Sequence, residues 1–260
     1  MEAGGDAERA QPPLARNWSE LPLDALTSVF AKLDTVEVLM GGGLVCHSWL
    51  SAAKVPSLWR YLDMASHNKV VKEKCRSGGR DVLCAMAKEA VDCSGGQLKV
   101  FIGEEFVDDD LLKFIGGRAP SLKILTSCSN IINEGFVEAI NKFPLLEELK
   151  LSSCNGIGGR ATYEAVGKAC RNLKRFEVGR CMPSAYSFML DRGDNPDCQE
   201  AHGIATMHGL RSLKISYIQL NNNALSSILD NCPNLESLIY IFASTFSWMM
   251  PCEPSMLASS

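Results

Sequence analysis

The apolar positions change their period between residues 65 and 97. Before that stretch they recur at helical spacing; after it, short alternating runs and helical runs take turns. Leu23, Leu26, Phe30 and Leu33 form the first stripe, with Val29 beside it. Pro22 stands at its start, where a missing N–H is not needed, and Asp24 falls in a first turn that favours negative charge. A second short helix is predicted after Asp34 or Thr35, through Val36–Met40. A third is predicted from about Leu44 to Ala53, with Val45, Trp49 and Ala52 on one face and Pro56 as its stop. Gly41, Gly42 and Gly43 adjoin it, and each glycine inside a helix costs about 1 kcal/mol relative to alanine. Three helices this short cannot bury so much apolar surface among themselves, which points to a partner surface.

From residue 98 the pattern repeats. Leu98 and Phe101 begin it, followed by Leu122 and Leu125, Leu146, Leu149 and Leu151, Leu173, Phe176 and Val178, Leu210, Leu213 and Ile215, and Leu235 and Leu238. The starts at 98, 122, 146, 173, 210 and 235 are separated by 24, 24, 27, 37 and 25 residues, so all steps but the fourth fit a leucine-rich period. A helical run ending in Pro or Asn precedes each strand, as in the segments closed by Pro120, Pro144, Asn172 and Pro233. One strand–helix unit cannot bury its apolar side, whereas stacked units share a continuous core with the strands lining one face. In this spacing the residues flanking the middle leucine point away from the core. Glu148, Lys150, Arg175, Glu177, Ser212 and Lys214 are therefore the candidate binding residues on the sheet. They mix both signs, so no phosphate-like ligand is indicated, and half of any strand faces solvent in any case. Met182–Gly209 reads as an inserted loop.

The net charge of -4 supplies no basic field for nucleic acid or for an anionic membrane. No segment reads as a membrane span, and residues 1–16, acidic and rich in Gly, Ala and Pro, read as a disordered leader. Eleven cysteines with no secretory signal predict reduced thiols and a nuclear or cytoplasmic setting. No C-x-x-C and no paired histidines occur, so no metal or cofactor is expected. Cys128, Cys154 and Cys181 are assigned one repeat position, with two residues short in the 122 repeat. The run Gly156, Gly158, Ala161 imitates a dinucleotide fingerprint, but four residues separate it from its strand where the fingerprint wants a tight turn. The acidic run Asp108–Asp110 lacks calcium-loop spacing and reads as the cap of the next helix.

Leu21-Pro22, then Val45-Cys46 with Trp49, then Leu58-Trp59 fall in the order and at the distances of an F-box. With the repeats behind it, the chain from Trp18 to about Leu238 resembles the plant F-box/leucine-rich-repeat proteins. The resemblance implies a mixed α/β fold in which a three-helix F-box precedes a solenoid with short parallel strands on its concave side and helices outside. The division expected is leader 1–16, F-box 17–63, a linking helical segment 64–97, about six repeats over 98–240, and an atypical tail 241–260. It implies no catalysis. The F-box would bind a Skp-type adaptor, and through it a cullin and a RING protein, by Leu21, Pro22, Leu26, Phe30, Leu33, Val45 and Trp49. Trp59 would help pack that domain, and the repeats would hold a protein substrate for ubiquitination. The alternative is a repeat scaffold without a ligase role. The tail has no polar cap for the last repeat and is expected to remain unpacked.

Overall fold

A computed structural model describes residues 17–65, 69–128, 131–181 and 198–241; the expectations for the leader, the tail from 242 and positions 182–197 lie outside these residues. The chain forms two compact units, residues 1–54 and 55–260.

The first unit holds helices α1 (Leu23–Phe30), α2 (Thr35–Met40) and α3 (His47–Ala53). The Glu37 carboxylate accepts the Asp34 N–H at 3.2 Å, the return bond of a capping box that starts α2. The third helix begins later than the apolar spacing predicts. Gly42–Leu44 makes a separate 3-10 turn, Cys46 is extended, and α3 starts at His47. The glycines thus carry no helix-interior cost. Leu26, Phe30, Val36, Val38 and Ala52 are buried.

Among its described residues the second unit forms a seven-stranded parallel sheet with its strands in chain order: β1 (Tyr61–Met64), β2 (Val100–Gly103), β3 (Ile124–Cys128), β4 (Glu148–Ser152), β5 (Arg175–Gly179), β6 (Ser212–Ser216) and β7 (Ser237–Ile241). Helices cross between successive strands: α4 (Lys69–Arg76) and α5 (Arg80–Cys93), then α6 (Asp109–Arg118), α7 (Asn133–Ile140), α8 (Arg160–Ala169), α9 (Gln199–Ile204) and α10 (Asn222–Asn231). Leu149, Leu151, Phe176, Val178, Leu213 and Ile215 are buried while their strand neighbours on the other side remain open, so the helices cover one face only.

Three details differ from the sequence reading. The sheet starts at Tyr61, because Trp59, Leu62 and Met64 occupy the apolar places of a repeat and are buried. Cys128 pairs with Ser152 in the ladder, not with the position of Cys154, so the 122 strand runs in full register and lacks no residue. Met182–Gly209, whose spacing predicts an inserted loop, contains α9, whose Gly203 comes so near α8 that a Cβ there would stand 2.7 Å from the Cβ of Tyr163.

Polar side chains join repeat to repeat. The Asp109 carboxylate accepts from Ile132 N at 3.1 Å, the Asn133 carbonyl from Gly158 N at 2.9 Å and the Asn155 carbonyl from Cys181 N at 2.9 Å. Buried thiols do the same: Cys170 and Cys232 each donate to a carbonyl of the preceding repeat, Phe143 O and Met207 O, at 3.6 Å.

Candidate functional site

Two surfaces emerge. The first lies on the helical unit. Leu26 and Phe30 are buried there, so they support the surface and do not present themselves on it. Trp49 is half-buried: its ring meets Phe30 edge-on at 5.4 Å, and its indole N–H donates to the Trp18 carbonyl at 3.1 Å. It fastens α3 to the chain entering the unit, as does Ser48 Oγ, which donates to Ser19 O at 2.8 Å. Leu21 is half-buried, while Pro22, Leu33 and Val45 are exposed. The sequence reading missed the most open apolar side chain among the unit's described residues, Leu44 at 82% exposure, together with Trp18, Leu23, Met40 and Leu50, and gave Val29 no contact role. For Trp18, Met40, Leu44 and Leu50 the signal is that they fall off the periodic stripe, whereas Leu23 lies on the stripe and is exposed at the first residue of α1. Leu58 and Trp59, which close the motif in sequence, belong to the second unit.

Cys46 is half-buried, not a core residue. Its sulfur lies 3.1 Å from Ser48 Oγ, and that hydrogen bond lowers the thiol pKa below its ordinary value.

The second surface is the open face of the sheet, where register brings the six predicted residues together. Glu148 lies beside Arg175, which lies beside Ser212; Lys150 lies beside Glu177, which lies beside Lys214. They neutralise one another. Arg175 Nε donates to Glu148 at 2.7 Å, Lys214 Nζ is 2.7 Å from Glu177, and Lys150 Nζ reaches the other oxygen of Glu177 at 3.6 Å. Nearer β1 the same rows turn apolar, through Val100, Ile102 and Ile124.

The glycines of the fingerprint-like run have structural duties. Gly156 packs directly on the Ile131 carbonyl, and Gly159, at φ +84°, is the N-cap of α8. Asp108 caps α6 by accepting from Leu111 N at 2.8 Å. Among the described residues, no group of three or more His, Cys, Asp or Glu side chains gathers into a metal site, and no helix is long and apolar enough to cross a membrane.

A helical unit with an exposed apolar surface, ahead of a parallel-strand repeat sheet open on one face, defines a protein of F-box and leucine-rich-repeat architecture. A family model described as F-box-like matches residues 18–65. In Arabidopsis thaliana, F-box/LRR-repeat protein 23 is 34% identical over 86% of this chain and 47% of its own length. F-box protein SKIP19 is 35% identical over 89% and 73%, and F-box/LRR-repeat protein 9 is 33% identical over 86% and 86%. The chain belongs to this plant F-box/leucine-rich-repeat family. It spans about half of the first relative and most of the other two.

Proposed function

We propose that the protein is the target-recognition subunit of a Skp–cullin–RING ubiquitin ligase, acting by binding and not by catalysis. The observation that carries this reading is the open apolar surface of the F-box unit, with Leu44 at 82% and Val45 at 59% exposure beside a well-packed interior. Apolar side chains left in water on a small unit mark an interaction site, and their burial on an adaptor would dominate affinity. Leu23, Leu33, Leu44 and Val45 are the contacts, Leu21 and Pro22 set the start of α1, and Leu26, Phe30 and Trp49 hold the shape. The repeats hold the target on the sheet, and the tethering raises the target's effective concentration near the ubiquitin-charged enzyme. Action in the nucleus or cytoplasm follows from that role. The test is reconstitution: the purified chain is mixed with a Skp-type adaptor and a cullin–RING pair and run by gel filtration. Co-elution supports the assignment. A folded chain that never binds the adaptor leaves a repeat scaffold with no ligase role.

A further inference from the structure

The residue immediately before each of the seven strands is charged. These residues are Arg60, Lys99, Lys123, Glu147, Lys174, Arg211 and Glu236, five basic and two acidic. They form one row: Lys99 N donates to Arg60 O at 2.9 Å, and each later member donates its N–H to the carbonyl of the one before at 2.8 Å. All are exposed except Glu147, which is half-buried between its two neighbours. Lys123 reaches it at 2.7 Å and Lys174 at 3.1 Å, and these hydrogen bonds hold its carboxyl below the usual range. One carboxylate is thereby shared by two ammonium groups.

The rest of the row is poorly compensated. Arg60 is held by the neutral amide of Gln97, at 3.1 and 2.8 Å. Lys99 has no carboxylate partner among the described residues, and Arg211 meets Glu236 at 3.5 Å with both side chains well exposed. Like charges on adjacent strands oppose folding, so Arg60, Lys99 and Lys123 side by side are not explained by stability. At the opposite ends of the strands, the one connection after β2 carries Glu104, Glu105 and Asp108 and leads into Asp109 and Asp110 of α6. An overall charge of -4 therefore conceals a basic rim along the strand starts.

We propose that this rim docks an acidic, extended polypeptide segment, which makes the target class of the repeats an acidic one; this rests on the reading of the repeats as the target-holding half. From Arg60 to Arg211 the row covers five strand spacings, roughly 24 Å, a distance that about seven extended residues cross. Arg175, Lys150 and Lys214, one and three residues further along the same strands, are already paired with Glu148 and Glu177, so the rim and not the open face supplies the unpaired positive charge.

The probe is a fluorescein-labelled Glu-Ser repeat peptide of about ten residues, titrated with the full chain and read by anisotropy at low and high salt. A Lys-Ser peptide, single-stranded RNA and phosphatidylserine vesicles serve as comparisons. Saturable, salt-sensitive binding of the acidic peptide is expected, weakened about tenfold by Lys99→Gln with Arg211→Gln. Lysine acetylation footprinting of the unaltered protein needs no variant and should show Lys99, Lys123 and Lys174 protected by the peptide, with Lys32 unprotected. Undiminished binding by the folded double variant, no protection of the row, or tighter binding of RNA or vesicles overturns the proposal. Adaptor binding is measured on the same samples. Its loss with peptide binding intact overturns the ligase reading alone; the reverse overturns the rim alone.

Discussion

The ring of Phe30 closes over Gly42: a Cβ added there would stand 3.1 Å from the ring's Cζ. A side chain at that position would press on the ring, and the 3-10 turn Gly42–Leu44 is what carries Leu44 out into solvent. Gly42→Val should displace Phe30 and lower the stability of the helical unit by about 1–3 kcal/mol. A denaturant titration followed by tryptophan fluorescence, to which Trp49 against Phe30 contributes, checks this. An unchanged midpoint would show that the ring gives way freely.

The buried and exposed apolar residues of that unit should separate cleanly. Leu44→Asp with Val45→Asp should leave the melting temperature unchanged and weaken adaptor binding at least about tenfold, as loss of central contacts does. Leu26→Ala, at a fully buried site, should instead cost about 2–5 kcal/mol of stability. Calorimetry of binding and thermal melts on the same samples distinguish the two. If the aspartate pair binds the adaptor normally, the apolar surface is not the contact.

Close approach of α8 and α9 makes Gly203 sensitive. A Cβ would meet Arg160 O and Tyr163 Cβ, both at 2.7 Å. The Gly203→Ala protein should unfold about 1–3 kcal/mol more easily, by separation of the two helices. Hydrogen exchange over residues 160–169 and 199–204 should rise selectively, and uniform exchange across the repeats would contradict it.

Thiol reactivity should follow environment. Burial pushes the Cys170 thiol up to about 12, and burial followed by the charge of Asp108 pushes Cys84 to about 11. Both should resist alkylation in the native state at pH 8 and react on unfolding. Cys46, whose pKa the Ser48 hydroxyl lowers, should react ahead of them. The sign for stability follows. A Cys170 pKa raised from 9.0 means the folded state holds its proton longer than the unfolded chain. Its contribution is complete below pH 9 and is lost as pH rises toward about 12. Mass spectrometry of timed iodoacetamide labelling tests the order; early labelling of Cys170 would sink it.

The sequence by itself determined the repeats and the helical unit ahead of them. An apolar pair such as Leu149 and Leu151 can be satisfied only by a strand with one buried face, and a run such as Asn222–Asn231 only by a helix covering it. Local signals also carried: Asp34 and Asp108 cap the helices that the sequence places after them. Tertiary structure decided which members of the F-box stripe face inward: Leu26 lies inside α1 and is buried, whereas the helix ends at Phe30 and leaves Leu33, three residues further on, exposed. It decided that the sheet begins at Tyr61, where Trp59 takes the place of the first leucine. It also decided which charges meet. Lys150, Glu177 and Lys214 are 27 and 37 residues apart in the chain, and parallel register alone puts their side chains on neighbouring strands. Periodicity reports whether a position is buried; it carries no information about the neighbour a distant repeat supplies, and both candidate surfaces are made of such neighbours.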